Sequence, residues 1–411
     1  MKVKIKDIAK INDNSLKVQE YPSKIKYLDT KNIKQGKIIN LQVLDLKNDK
    51  IPSRAKRLVR NNTIIYSTVR PNQLHYGILK SPDKSLVVST GFVTIDVYDN
   101  RVLPQYLYYK LIAPEVTDYL STIASTAVSA YPSLNPSDIA NLEIDIPDDL
   151  NTQKNIVNFL DNIDSKIANN NAISKELESM AKTIYDYWFL QFEFPDKDGK
   201  PYKSNGGKMV WNEQLKQEIP EGWEVDNLYR IADFVNGIAS QKYRPLDNEH
   251  KLPVIKITEM HDGFTSNTEF VRESISEDHI INNGDILFSW SASLEVIIWN
   301  GGKGGLNQHI FKVKPREKFS LHYVYQTLAS YVINFKMMAE ARKTTMGHIT
   351  KDHLKQSRIT IPPQDLIDKF ENIVKNLYEE ITLKDEESQQ LQSLRDFLLP
   401  MLMNGQVAID D

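Results

Sequence analysis

The 411-residue sequence contains no cysteine. That excludes a disulfide framework, a cysteine nucleophile and a thiolate metal site. No apolar run is long enough to span a bilayer. The opening Met1-Lys-Val-Lys-Ile-Lys lacks the apolar stretch and small-residue cleavage site of a secretory leader. A soluble protein of a reducing cytoplasm, with no membrane role, is the expectation. Catalytic signatures are missing too. No Gly-x-x-x-x-Gly-Lys-Ser/Thr phosphate loop occurs. The run Gly301-Gly-Lys-Gly-Gly305 lacks the hydroxyl and the following helix, and reads as a turn between strands. His75, His250, His261, His279, His309, His322, His348 and His353 are scattered, without a His-Glu-x-x-His pair or a third ligand. There is no Gly-x-Ser-x-Gly elbow, and no Asn/Asp-Pro-Pro-Tyr/Phe run of the kind aminomethyltransferases use to hold a base. Asp196-Lys-Asp-Gly199 lacks the other ligands of a calcium loop. No catalytic residue, metal or cofactor is expected in this chain.

Charge is present but unevenly spread. The net charge is −3, yet residues 1–100 hold 19 Lys and Arg against 9 Asp and Glu, a net of +10 that leaves −13 for the remainder. A basic block beside acidic segments suits a polyanion and a second kind of partner, although a Lys-rich surface can also be merely solvated.

The strongest pattern is a heptad seam. Ile156, Leu160, Ile163, Ile167, Asn170, Ser174, Leu177, Ala181, Ile184 and Trp188 follow one another in steps of four and three, which predicts a coiled-coil helix from Thr152 to Trp188. Adding 214 gives Phe370, Val374, Leu377, Ile381, Lys384, Ser388, Leu391, Arg395, Leu398 and Leu402, with the same spacing and the same polar interruption. Polar seam residues fix register at some cost in stability. Asp148-Asp149 and Asn151-Thr152 cap the first helix, with acids at its positive end.

What precedes each helix is also duplicated. Thr63-Ile-Ile-Tyr-Ser67 matches Asp285-Ile-Leu-Phe-Ser289 at an offset of 222, Ile8-Ala9 matches Ile231-Ala232 at 223, and Glu143-Ile-Asp-Ile-Pro147 matches Arg358-Ile-Thr-Ile-Pro362 at 215. Alternating β-branched and aromatic runs make both copies strand-rich, with short helices after Pro104 and over Val116–Ile123 in the first. The expected fold class is α+β: similar domains at 1–150 and 219–364, long helices at 151–192 and 365–404, a polar linker at 193–218 and a tail at 405–411.

Combined, these segments resemble the specificity subunits of type I restriction-modification systems. The likeness is carried by Ile64-Ile-Tyr-Ser-Thr-Val-Arg-Pro-Asn72 with Val88-Ser-Thr-Gly-Phe92, by Ile219-Pro-Glu-Gly-Trp-Glu-Val225, and by Gly284-Asp-Ile-Leu-Phe-Ser289 with Leu306-Asn-Gln-His-Ile-Phe311. No single motif is specific, but their order, twice over, is. The resemblance implies two target-recognition domains, each reading half of a split double-stranded DNA sequence. It implies helices packed antiparallel as a spacer, modification (methyltransferase) subunits, expected as two, docked on the helices, and restriction (endonuclease/translocase) subunits in the assembled complex. The alternatives are the DNA-recognition part of a fused modification-restriction enzyme, or a coiled-coil scaffold with no DNA role.

Candidate DNA contacts follow from residue type. Arg54, Lys56, Arg57 and Arg60, spaced as a helical face or a basic loop after Pro52, would supply phosphate affinity. Arg70, Asn72, Gln73 and His75 form a polar turn suited to guanine and adenine edges, though turns favour such residues anyway. Ser125, Thr126, Ser129 and Tyr131 are placed on a long loop. The second copy offers Gln241, Lys242, Tyr243 and Arg244; Ser289, Trp290, Ser291 and Ser293, where Trp290 could equally be core; and Lys343, Thr344, Thr345 and His348.

Overall fold

A computed structural model describes residues 1–16, 23–126, 132–265, 267–291, 293–341 and 349–409. They divide into two compact units, Met1–Ile167 with Gln389–Asp411, and Ala168–Ser388. Both divisions fall inside long helices, Leu150–Tyr185 and Gln364–Met403. Each unit therefore contains the start of one helix and the end of the other.

In the first unit, strands Ala9–Ile11, Phe92–Val97, Thr63–Ser67 and Tyr76–Leu79 form an antiparallel sheet in that order. A second sheet runs Gln42–Asp45, Lys24–Leu28, Leu86–Ser89, Ala55–Leu58, and its middle pair is parallel. Lys2–Lys4 pairs with Glu143–Asp145. Strand side chains alternate between faces, so the wholly buried strand Thr63–Ser67 serves two cores. Ile64 and Tyr66 join Ile5, Ile8, Val93 and Ile95, while Ile65 joins Leu28, Leu86, Val88 and Phe92.

The second unit repeats this plan. Ala232–Asn236, Ile310–Pro315, Ile286–Ser289 and Glu295–Ile298 form the antiparallel sheet. Phe270–Arg272, Lys251–Ile255, Gly304–Leu306 and Ile280–Ile281 form the mixed one, again with a parallel middle pair. Glu224–Asp226 pairs with Ile359–Ile361. Ile286 and Phe288 face one core and Leu287 the other, as Ile64, Tyr66 and Ile65 do. The long helix Leu321–Ala341 corresponds in the first unit to two helices, Pro104–Ile112 and Pro114–Thr126. Pro114 has no N–H to continue the ladder.

The helix expected from Thr152 begins at Leu150, where Asp149 accepts hydrogen bonds from the backbone of Thr152 and Asn151 at 2.9 and 3.2 Å. At its far end a π turn, Asp186–Leu190, changes the phase so that Trp188, Phe189 and Phe192 all reach the core with Tyr185 and Phe370. Every seam position is buried or half-buried. In the first unit, Ile156 and Leu160 pack with Leu399, Leu402 and Met403, and Arg395 Nη1 lies 2.9 Å from Asp164 Oδ1. In the second, Asn170 meets Glu387, Ser174 meets Asp385, and Tyr185 meets Phe370. As one number rises the other falls, so the helices run antiparallel.

Residues 193–218, expected as a linker, carry structure of their own. Met209–Asn212 and Gln217–Pro220 form a hairpin. Phe194 stacks between Tyr202 and Trp223, with ring centroids 4.6 and 5.4 Å away. Aromatic burial outweighs the polar, Gly-punctuated composition that suggests a loose connector. Among the described residues, no helix is long and apolar enough to cross a membrane.

Candidate nucleic-acid interface

In the first unit the chain leaves the central strand at Thr68. The backbone N–H and the hydroxyl of Thr68 both donate to Gly91 O, at 2.9 and 3.0 Å, and Thr68 O accepts from Leu134 N at 2.8 Å. Arg70 N donates to Pro132 O at 3.0 Å. These bonds clamp a short turn, Pro71–Gln73, flanked by two left-handed non-glycine residues, Arg70 (φ 49°) and Leu74 (φ 58°). Such conformations cost on the order of 1–3 kcal/mol and persist only where surrounding structure enforces them. Here the buried Pro71 anchors the turn and leaves Arg70, Asn72 and Gln73 exposed. His75 is half-buried, and burial, with Lys34 nearby, holds its imidazole below the ordinary value. The helix Pro114–Thr126 packs on this turn.

Ser125 and Thr126 are therefore not loop residues as expected. They close the last helical turn, their hydroxyls donating to Thr122 O and Ile123 O at 2.7 and 2.8 Å. The helix runs to Thr126, past its expected end at Ile123. Ser129 and Tyr131 lie outside the described residues.

The expected helix through Arg54, Lys56, Arg57 and Arg60 does not form, and the alternative loop is interrupted by a strand that holds Lys56 and Arg57. A turn after Pro52 leads into strand Ala55–Leu58, which pairs with Leu86–Ser89. Alternation then separates the side chains: Arg54 and Lys56 are exposed and Arg57 is half-buried, its guanidinium shifted downward by burial. Arg54 O accepts from Thr90 N at 2.8 Å, which puts Arg54 on the same edge as Gly91 and Thr68. Arg60 is committed elsewhere. Its Nη2 lies 3.0 Å from Asp13 and 3.3 Å from the buried Asp96, which also accepts from Thr63 Oγ1 at 2.5 Å.

The second unit builds the same edge with the same backbone bonds. Trp290 N donates to His309 O at 3.2 Å, and Trp290 O accepts from Ile349 N at 3.0 Å. Trp290, His309 and Ile349 are the counterparts of Thr68, Gly91 and Leu134. The Trp290 ring is half-buried, tilted against His309 at 5.4 Å, and its Nε1 donates to Asn236 Oδ1 at 3.0 Å. Gln241, Lys242 and Tyr243 occupy the short turn Ser240–Tyr243. Asn307 Nδ2 reaches Ser240 Oγ at 3.4 Å and so brings that turn beside the edge. Gln241, Lys242 and Arg244 are exposed, whereas the Tyr243 ring receives the Arg272 guanidinium at 5.4 Å.

Ser289 and Ser291 do not reach the surface. Both are buried, and the Ser289 hydroxyl donates to Ser293 O and accepts from Glu295 N, so it shapes the strand end rather than facing a ligand. Ser293 is exposed. Lys343, Thr344, Thr345 and His348 lie outside the described residues. Residue type alone does not point to Asn236, Gln308 and His309. Their signal is the run Asn307-Gln-His309, standing where the first copy has Ser89-Thr-Gly91.

Residues 1–179 and 220–393 both match the family described as the type I restriction modification DNA specificity domain. The chain belongs to that family. The two matched stretches are the two copies recognised above, so this specificity-family chain carries its domain in tandem. It is 24% identical to the type I restriction enzyme HindI specificity subunit of Haemophilus influenzae, over 98% of each chain. It is 25% identical to the MjaIX specificity subunit of Methanocaldococcus jannaschii, over 99% of this chain and 93% of that one. The fold is shared with the type I restriction-modification S subunit from M. genitalium, at a TM-score of 0.53 and 15% identity, covering all of this chain and 96% of the other. Charge separates the two specificity domains of this chain. Against the net +10 of residues 1–100, the matching stretch 223–322 has 11 Lys and Arg and 14 Asp and Glu, a net of −3.

Proposed function

We propose that this specificity subunit reads a split duplex target, one half with each domain. The carrying observation is an edge built twice on the same two backbone hydrogen bonds, Thr68 N to Gly91 O with Leu134 N to Thr68 O and Trp290 N to His309 O with Ile349 N to Trp290 O, but furnished with different side chains. A constant frame with variable side chains is what two readers of different sequences require. In the first domain Arg54 and Lys56 would contact phosphate, and Arg70, Asn72 and Gln73, with Ser125 and Thr126 alongside, would reach base edges. In the second, Gln241, Lys242, Arg244 and Ser293 would take the corresponding places.

The antiparallel helices would act as the spacer and as the dock for two modification subunits, to which restriction subunits are added. Duplication has a physical rationale. Each mismatched base pair costs roughly 1–3 kcal/mol, so one short half-site discriminates weakly. A linked second reader adds its share as an intramolecular step. Catalysis would belong to the partner subunits.

The test is methylation of duplex DNA by the chain assembled with its modification subunits. Methylation should depend on both halves of a bipartite sequence and on their separation. Methyl transfer by the isolated chain, or transfer indifferent to sequence in the complex, would refute the proposal.

A further inference from the structure

We infer that Asn236 and Gln308 read adenine in the second half-site, each carboxamide oriented by a neighbouring ring. This rests on the DNA-specificity reading above and extends it to residues which that reading leaves out.

The backbone frame at the edge is common to both domains, yet the side chains on it are replaced wholesale. Thr68, Thr90 and Gly91 in the first domain stand where Trp290, Gln308 and His309 stand in the second, and Asp13 stands where Asn236 does. Asp13 is neutralised by Arg60 at 3.0 Å, so the first domain presents no carboxamide at that point.

In the second domain the amides are held in fixed orientations. Asn236 is exposed at the end of strand Ala232–Asn236, and its Oδ1 accepts the Trp290 Nε1 proton at 3.0 Å. That bond fixes which end of the amide is oxygen. It leaves both Nδ2 protons and a second Oδ1 lone pair for a ligand. Adenine presents an N7 acceptor beside an N6 donor in the major groove, the complement of that pair. Gln308 Nε2 lies 3.3 Å from His309 Nε2; an amide nitrogen can only donate, so the bond forms with the tautomer whose Nε2 carries no proton. One N–H and Oε1 remain, the same donor–acceptor pair.

The backbone gathers these groups. A Cβ at Gly237 would stand 2.1 Å from Asn307 O, so only glycine lets the strand end of Asn236 approach the Asn307–His309 run this closely. The half-buried indole, packed on His309 and Phe311, is a positioning group.

The experiment uses the chain assembled with its modification subunits and a duplex library randomised across both half-sites, with methylated products sequenced. Asn236→Ala and Gln308→Ala should each lose an adenine preference at one base pair of the same half, by roughly 5- to 150-fold, and leave the other half unchanged. Trp290→Phe keeps a ring but not the donor, and should relax the same base pair as Asn236→Ala. The near-isosteric Asn236→Asp and Gln308→Glu replace a donor by an acceptor and should turn each position away from adenine, which keeps the test informative if an alanine variant misfolds. Unchanged preference, or loss spread evenly over both halves, would overturn the inference. A wild-type complex with no bipartite preference would overturn the underlying DNA reading instead.

Discussion

Leu402→Ala should destabilise selectively the half of the molecule that begins at residue 1. Leu402 is 2% exposed and sits in the first unit's core with Ile156, Leu160, Leu399 and Met403. Beside it, Lys110 Nζ donates to Met403 O at 2.7 Å. Truncating a buried leucine costs about 2–5 kcal/mol, against a domain stability of about 5–15 kcal/mol. With a urea dependence of about 1–3 kcal/mol per molar, a loss of about 3 kcal/mol moves the midpoint down by about 1–3 M. The sequence supplies the assay. All five tryptophans, Trp188, Trp211, Trp223, Trp290 and Trp299, lie in the second unit. Their emission follows that unit alone, while far-ultraviolet circular dichroism follows both. The substitution should create an early dichroism transition with no counterpart in emission. Phe370→Ala, in the second unit's aromatic cluster, should do the reverse and lower the emission midpoint. If Leu402→Ala lowered the emission midpoint as far as the dichroism one, the division into units that exchange helix ends would be wrong.

Gly237→Ala, by forcing Asn307 away, should reduce methylation dependent on the second half-site while discrimination at the first half-site, read in the assembled complex, stays intact. Arg54→Ala should weaken binding evenly across sequences and reduce the slope of log affinity against log salt by about one, whereas the acidic second domain offers few substitutions with that signature. Glu371→Gln should lower the unfolding free energy read by emission near neutral pH by about 1.5 kcal/mol, the low end for a hydrogen bond to a charged group. Burial opposes ionisation of Glu371, but His322 Nδ1 at 2.8 Å outweighs it and holds the carboxyl below its ordinary value. The stabilisation is therefore complete above the unfolded carboxyl's value of about 4.3 and disappears as pH falls through the lower folded one, so wild type and variant should converge in acid.

The fold is legible in the sequence where it is periodic. The four-three seam and its copy announce both helices, and the matched strands announce two similar domains, because burial of one face imposes a period on sequence. The unit boundaries are not legible, since nothing local in Leu399–Met403 says that it completes a core begun at Ile5. Ion pairing across distance is hidden for the same reason: Arg60 reads as a free cation until Asp13 and Asp96 are brought to it. At the candidate interface, residue type identifies Arg70, Asn72 and Gln73, but the turn's left-handed residues, Arg70 and Leu74, carry no sequence signature. Ser289 and Ser291 look available by residue type, because nothing local shows that the strand end beside Trp290 is covered. The duplication carries a further signal. Aligned on the two copies, Ser89-Thr-Gly91 against Asn307-Gln-His309 marks Gln308 and His309 as a place where the copies differ, which residue type by itself does not show.

The polar centre of the helix pair separates stability from register. Asn170, Ser174 and Ser388 are buried. Asn170 Nδ2 donates to Glu387 at 2.9 Å, and Ser174 Oγ to Asp385 at 3.2 Å. Asp385 also accepts from Asn300 Nδ2 at 3.0 Å, which ties the second helix to the β-structure of its own unit. Asn170 Oδ1 and Ser388 Oγ have no partner among the described residues. A layer selected for stability would not leave two buried polar atoms unpaired, because each costs about 1–3 kcal/mol. A layer selected for register can, since a slipped alignment would strand Asn170, Glu387 and Asp385 together. Ser388→Ala should then leave the unfolding free energy read by emission unchanged or raise it by about 1 kcal/mol. Asn170→Leu should change stability little but loosen alignment. Because the chain has no cysteine, Ser174→Cys with Asp385→Cys introduces a sole thiol pair, whose oxidation yield reports the register. That yield should fall when Asn170→Leu is added. An unchanged yield together with a stability loss as large as a core leucine truncation would assign the layer to stability and refute the register argument.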